Sequence, residues 1–335
     1  MPQLAPGTRL SDDLVLTRPI VEGHANVWVA RHGKLATDVV VKLLPGELVT
    51  SPEARIRFSR EVRAGSKIES AHVVKRLDSG VTEDGVPFVA LELLVGEDLR
   101  TRLGRVGPLP PAEVVEVVRQ VGVALIAVHK AGIVHRDIKP ENVFLCAREG
   151  AVPLVKVLDF GVAKNVKNKS SVATSAGIVV GTPTYMSPEQ MAGGVIDAQV
   201  DLWALAVVGW EALTGDRPFP GDDLATIGRA ALVGPRPKIS AVEPAFAPLD
   251  TFFERAFAKE RANRFTDAAE LAEAFARAVT SLSDPQVPST AGARTRSLET
   301  FVLNVKPGRR VPWVLIVALL TLAAAIVGAI VLARR

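Results

Sequence analysis

The sequence has one cysteine, Cys146, in 335 residues. A lone thiol excludes an intrachain disulfide and a cysteine-built zinc cluster, and it fits a reducing compartment. Histidine is also scarce: His24, His32, His72 and His129 show no metal-ligand spacing and read as surface or packing residues. Positive charge barely exceeds negative, with 40 Lys and Arg against 36 Asp and Glu, a net +4. Part of that excess is Lys306, Arg309, Arg310, Arg334 and Arg335, which flank one apolar run. They read as interfacial anchors, so nucleic acid is not an expected partner. Met1 to Leu10 lack the apolar stretch of a signal peptide. No internal repeat is present.

Long hydrophobic runs are absent except near one end, where Val311 to Leu332 carries no charge. About 20 apolar residues rising about 1.5 Å each cross the hydrocarbon core of a bilayer. Residues 311–332 are therefore expected to form one transmembrane helix. Residues 281–310 are dominated by Ser, Thr, Pro and Gly without periodicity, the composition of a flexible juxtamembrane linker. Residues 1–13 read as an irregular lead-in.

Between these ends the pattern changes once. From Leu14 to Glu92, short β-branched runs ("LVLTRPI", "NVWVARH", "DVVVKLL", "PFVALEL") alternate with Gly, Asp or Pro and predict strands. One helix, "SPEARIRFSREVRAGSKIES", interrupts them, with Ser51 as candidate N-cap and Pro52 in its first turn. Beyond Gly96 the chain turns helical. "PPAEVVEVVRQVGVALIAVHKAG" opens on proline and closes on glycine. "DAQVDLWALAVVGWEALTG" is apolar on nearly every side and should be buried. Further helices are expected in "PLDTFFERAFAKE" and "TDAAELAEAFARAV".

The chemistry concentrates in "IVHRDIKPENVFL" from Ile133 and "VKVLDFGVAK" from Val155. Asp137 and Asn142 sit on one loop and Asp159 on a later turn. That set offers oxygen ligands to a hard divalent cation, and magnesium takes such carboxylate, amide and phosphate oxygens. With "GTPTYMSPEQ" in this order and spacing, the chain resembles eukaryotic-type (Hanks-type) serine/threonine protein kinases, closest to the bacterial membrane-anchored kind, over about residues 14–279.

The resemblance implies an α+β, two-lobed protein-kinase fold over residues 14–280, with a β-rich N-lobe (14–92) and a helical C-lobe (97–280), plus the terminal helix. It implies ATP and Mg2+ as cofactors and serine or threonine hydroxyls of proteins as acceptors. Asp137 would accept the hydroxyl proton and Lys139 would steady the phosphoryl group. Asn142 and Asp159 would bind magnesium. Lys42 would hold the α- and β-phosphates and pair with Glu61. Val27, Gly23, Val40, Glu92, Leu93 and Leu145 would surround the nucleotide, and Thr182 would shape the acceptor site. Structural roles follow for Asp201, expected to hold the catalytic loop, for Glu189, expected to pair with Arg264, and for His135, expected to be packed. Arg136 marks kinases whose activation segment is ordered by a phosphate. Ser170, Ser171, Thr174 and Ser175 are the candidate acceptors of one.

Glycine is missing where the family pattern most needs it. Aligned on Val27, Trp28 and Ala30, the three glycine positions of the phosphate-covering loop hold Ile20, Glu22 and Ala25. A register one residue over would put Gly23 on a motif position but Trp28 on the valine. Side chains there hold backbone N–H groups away from phosphates, and Glu22 adds repulsion. The four neutralising residues Lys42, Asp137, Asn142 and Asp159 are retained. The expectation is an active kinase with weakened ATP affinity; the alternative is a pseudokinase scaffold that docks partners. Because ATP is cytosolic, a single-pass protein with its kinase domain on the cytoplasmic side is expected. Ala325, Gly328 and Ala329 offer small residues for a homodimer phosphorylating itself in trans.

Overall fold

The computed structural model describes residues 4–20, 26–44, 56, 68–148, 150, 152–159, 183–221 and 223–283. The run 311–332 lies outside them, as do most of the linker and, apart from Ile56, the whole 51–67 portion of the helix expected from Ser51. Among the described residues, no helix is long and apolar enough to cross a membrane.

The N-terminal lobe is a six-stranded antiparallel sheet in the order β1 (Arg9–Ser11), β2 (Leu14–Pro19), β3 (Val27–His32), β4 (Thr37–Leu43), β6 (Pro87–Glu92), β5 (Arg76–Val81). Side chains alternate across a strand, and β4 shows why this matters. Val39, Val41 and Leu43 are buried with Leu14, Leu16, Trp28, Ala30, Phe88 and Ala90. Val40 and Lys42 therefore point to the other face. The register pairs Val27 with Lys42 and Val29 with Val40 on one side, and Lys42 with Val89 and Val40 with Leu91 on the other. One face is the lobe's own core; the opposite face carries Lys42 among Val27, Val29, Val40, Val89 and Leu91.

Three strands escaped the sequence reading. β1 falls inside the expected lead-in, and its pairing with β2 draws Arg9–Ser11 into the sheet. β5, "RLDSGV", has little apolar alternation. β7 (Gly96–Asp98) is three residues long and is specified by its pairing with β8 (Val143–Cys146), which in turn pairs β9 (Leu154–Val157).

The helical lobe is built around two helices. α1 (Leu99–Val106) and α2 (Pro111–Lys130) follow the connection, and α2 packs on β9 and on the later helix α7 (Ala268–Thr280). Between them come α3 (Pro188–Met191), α4 (Gln199–Thr214), α5 (Leu224–Leu232) and α6 (Asp250–Ala256). α4 is buried on all sides, as its uniformly apolar composition requires. It ends at Gly215, whose φ of 79° is a left-handed cap that glycine adopts without strain. Trp203 stacks on Phe219 at 5.2 Å, and Trp210 meets Phe253 edge-on at 4.9 Å. Aromatic pairs of this kind add about 0.5–1.5 kcal/mol each beyond area burial.

Both lobes belong to one compact unit, residues 1–285. The residues ahead of β5 tie them together. Val74 N–H donates to Val157 O at 3.0 Å, and Val157 N–H donates to His72 O at 2.8 Å. Glu92 adds a second tie: its Oε1 accepts from Lys75 N–H at 2.6 Å and from Lys156 Nζ of β9 at 2.5 Å.

A buried ion pair closes the helical lobe. Arg264 Nη1 lies 2.9 and 3.0 Å from the two oxygens of Glu189, its Nε donates to Ala258 O, and its guanidinium sits 4.8 Å from the Trp203 ring. The two side chains are 3% and 8% exposed, so neither charge has water as an alternative partner. Breaking such a pair costs about 3–5 kcal/mol. We predict that Glu189→Gln lowers the thermal midpoint by roughly 6–20 °C, at about 2–4 °C per kcal/mol for a domain of this size. Differential scanning calorimetry checks this, and a midpoint within 2 °C of wild type (a threshold on the order of 1 kcal/mol) refutes the assignment.

Candidate active site

The face of β4 turned away from the N-lobe core presents Lys42, and its ammonium finds a partner across the cleft. Lys42 Nζ lies 2.7 Å from Asp159 Oδ1, with both side chains partly exposed. Asp159 holds a φ of +47°. A non-glycine residue in that region costs of order 1–3 kcal/mol and persists only where neighbours enforce it. Its neighbour Leu158 donates N–H to Asn142 O at 2.9 Å and accepts a 2.7 Å contact from His135 Nε2.

The catalytic-type loop is held in the same way. Arg136 has a φ of +65°, and its strained backbone is fastened by Asp201 from the first turn of α4. Asp201 Oδ1 accepts Arg136 N–H at 2.7 Å, while Oδ2 accepts His135 N–H and His129 Nε2, both at 2.8 Å. Asp201 is fully buried, so these three bonds replace its hydration. His135 is fully buried too. Asp137 N–H points at its Nδ1 at 3.2 Å, which requires that nitrogen to be an acceptor. The ring proton then sits on Nε2 and is donated to Leu158 O. His135 is thereby committed as a strut between the two loops.

On this frame Asp137, Lys139 and Asn142 converge. Asn142 Nδ2 donates to Asp137 O at 2.7 Å and Oδ2 at 3.2 Å, and Lys139 Nζ is 3.5 Å from the same Oδ2. One carboxylate thus faces an amide and an ammonium. Using Nδ2 as donor leaves the Asn142 Oδ1 as an acceptor. That oxygen and the Asp159 carboxylate are the kind of sparse oxygen set that magnesium takes while keeping phosphate and water ligands, so the residues present fit the ion.

The other expected residues divide. Val27 and Val40 share the Lys42 face. Glu92 ends β6 with its carboxylate engaged by Lys75 and Lys156, and Leu93 follows on the surface. Leu145 is corrected: it is 5% exposed and belongs to the core of the helical lobe. Period-two alternation along β8 instead turns Phe144 to the opposite face, beside its register partner Lys156, which reaches the Glu92 connection. The burial of Val143, which only the structure shows, sets the parity that puts Phe144 on that face. Glu61, Gly23, Thr182, Ser170, Ser171, Thr174 and Ser175 lie outside the described residues.

Sequence reading also missed a network beside the loop. Arg100, at the start of α1, donates Nη1 to Glu211 Oε1 at 2.9 Å and Nε to Glu141 Oε1 at 3.0 Å, and its Nη2 contacts Tyr185 OH. Tyr185 OH donates to Glu211 Oε2 at 2.5 Å. Burial and then the Glu211 charge push the Tyr185 phenol well above its ordinary range. Burial opposes the Arg100 charge, but its bonds to Glu211 and Glu141 outweigh it and raise its pKa.

A small antiparallel sheet over a helical lobe, with a strand lysine bonded to an aspartate of the other lobe, defines the two-lobed phosphotransferase class. The chain matches the family model of the protein kinase domain over residues 22–276. It is 39% identical over 284 residues to serine/threonine-protein kinase Pkn1 of Myxococcus xanthus, covering 82% of this chain and 40% of that protein. Serine/threonine-protein kinase PknB of Mycobacterium leprae is 34% identical over 279 residues, with 82% and 44% covered. The chain thus spans less than half the length of these curated relatives. The crystal structure of the Mycobacterium tuberculosis PknI kinase domain superposes with a TM-score of 0.66 at 26% identity, covering 82% of this chain and 99% of that one. The chain belongs to the protein kinase family.

The Asp201 arrangement makes a prediction independent of turnover. Asp201→Asn replaces one acceptor oxygen by an amide group facing other donors, at about 1–3 kcal/mol. Amide hydrogen exchange over residues 133–138 should accelerate by roughly 5- to 150-fold, the equivalent of that loss. Unchanged protection would show that Asp201 does not hold the loop.

Proposed function

We propose that this chain is an ATP- and Mg2+-dependent protein kinase that transfers the γ-phosphoryl group to serine or threonine hydroxyls of proteins, itself included, in signal transduction. The observation that carries the reading is the 2.7 Å Lys42–Asp159 bond next to the Asp137–Lys139–Asn142 cluster. In this reading Lys42 is the cation, Asp159 and Asn142 are the magnesium-ligand candidates, and Asp137 is the base. The kinase names of the relatives support the acceptor class.

Asp137 takes the proton of the acceptor hydroxyl as its oxygen bonds to phosphorus, and the bond to the ADP oxygen breaks. Lys139 and Lys42 neutralise the phosphoryl oxygens. Asn142 and Asp159 would hold magnesium, which supplies further neutralisation of the phosphates. A loose transition state spreads negative charge, so such placement of charge is most of the catalysis. Val27, Val40, Glu92 and Leu93 would border the base, with Phe144 replacing Leu145 beneath it. Ile20, Glu22 and Ala25 in place of glycines would weaken ATP binding without removing a neutralising charge. Glu61 would pair with Lys42, and Thr182 would shape the acceptor site. Arg136 would receive the phosphate of an activation segment modified at Ser170, Ser171, Thr174 or Ser175.

Residues 311–332 would anchor the protein in the cytoplasmic membrane as a single span, with residues 14–280 on the cytoplasmic side and a dimer through the helix allowing phosphorylation in trans.

Intact-mass spectrometry after incubation with Mg-ATP tests the activity. Wild type should gain phosphate increments, and Asp137→Asn should lose at least about 100-fold of the rate, as general-base removal implies. No incorporation by either protein would leave only a nucleotide-binding scaffold. Anchoring has its own test: the full chain should sediment with membranes, and a chain ending at Arg310 should not. Equal distribution of the two would refute the span.

A further inference from the structure

Arg100 occupies a position that the phosphotransfer chemistry does not use. It joins four elements: α1, the turn Pro140–Asn142 of the catalytic-type loop through Glu141, the turn Pro183–Tyr185 through Tyr185, and α4 through Glu211. One of these lies beside the candidate proton acceptor. Glu141 is four residues after Asp137 on the same loop, and an extended chain advances at most about 3.3–3.6 Å per residue, which keeps the two within about 14 Å. A peptide side chain a few residues from a hydroxyl held at Asp137 can therefore reach Glu141.

The carboxylates here are already matched. Glu141 is 43% exposed, the only one of the pair that an incoming side chain can reach, and it holds Arg100. Glu211 is buried between Arg100, Tyr185 and Arg217. Arg102 and Arg105 of the same helix are also engaged: Glu97 of β7 pairs with both, and Glu113 of α2 pairs with Arg102. Asp98 is spent on Thr101 as the N-cap of α1. A lysine or arginine of an acceptor peptide would have to displace an internal guanidinium bound to three acceptors. That guanidinium is preorganised, whereas the peptide side chain must be ordered on binding.

We infer that Arg100 is a specificity-determining residue that stands in for a basic substrate side chain, so that this kinase does not select Lys or Arg beside its acceptor hydroxyl. The inference rests on the protein-kinase reading above. It assigns acceptors whose flanking residues are uncharged or acidic, and it makes Glu141 a latent basic subsite that removal of Arg100 would uncover.

Steady-state phosphorylation of a serine-peptide panel by the full chain tests it. Each flanking position is set in turn to Ala, Glu or Arg. For wild type, Arg should confer less than a twofold gain in kcat/KM over Ala at every position. Arg100→Gln should gain roughly fivefold or more for Arg at one position at least, the scale of one charge-assisted contact. Arg100→Gln combined with Glu141→Gln should lose that gain. A purely structural role for Arg100 would lower activity on all peptides alike and leave the profile unchanged; that result in a folded variant overturns the proposal. If Arg100→Gln does not fold, wild type and Glu141→Gln alone decide. Two flat profiles support the proposal, and a tenfold wild-type preference for Arg overturns it. Absence of transfer to every peptide by wild type, matching Asp137→Asn, refutes instead the kinase reading itself.

Discussion

The site depends on one buried carboxylate. Asp201 binds two consecutive backbone N–H groups of the loop that carries Asp137, plus the His129 ring. Those bonds hold Arg136 at a positive φ, a conformation the chain would otherwise leave at a gain of about 1–3 kcal/mol. The strain has a use: it turns the chain so that Asp137, Lys139 and Asn142 face one point instead of following the loop outward. Asp201 can do this because it projects from a helix buried on all sides, where Trp203, Trp210 and their phenylalanine partners fix its axis.

His135 carries that rigidity to the second strained residue. Its ring accepts from Asp137 N–H and reaches Leu158 O, next to Asp159. Two loops separated in sequence are thus braced by one imidazole with no freedom to change tautomer. Lys42 then completes a chain of contacts from the sheet of one lobe to the core helix of the other. Electrostatic catalysis works best when the charges are in place before the reaction begins, and here packing in the helical lobe supplies that order.

The N-terminal sheet contributes differently. It turns Val27, Val40 and Lys42 to a common face because β4 buries every second residue against Leu14, Leu16 and Trp28. The same alternation explains Leu145. Its type suits a nucleotide pocket, but its parity on β8 sends it into the core and sends Phe144 the other way. Residue type was readable there and side was not, since side follows from pairing with β7 and β9.

Local rules made much of this protein legible. Alternation marked β2, β3, β4 and β6, and proline, glycine and apolar periodicity marked α2 and α4, because those signals act within a few residues. Asp201 holding the loop and Glu189 pairing with Arg264 were also legible, through motifs whose spacing reflects one shared packing. The short strands β1 and β7 were not, since so few residues carry no period and form only when a neighbouring strand supplies hydrogen bonds. Nor was the contact set of Arg100, whose partners lie 41, 85 and 111 residues away. The sequence by itself determined which chemical groups the chain carries and how each segment prefers to fold. Only the tertiary structure decided which charges neutralise one another, because an ion pair is set by distance and burial, and neither is written in the order of residues.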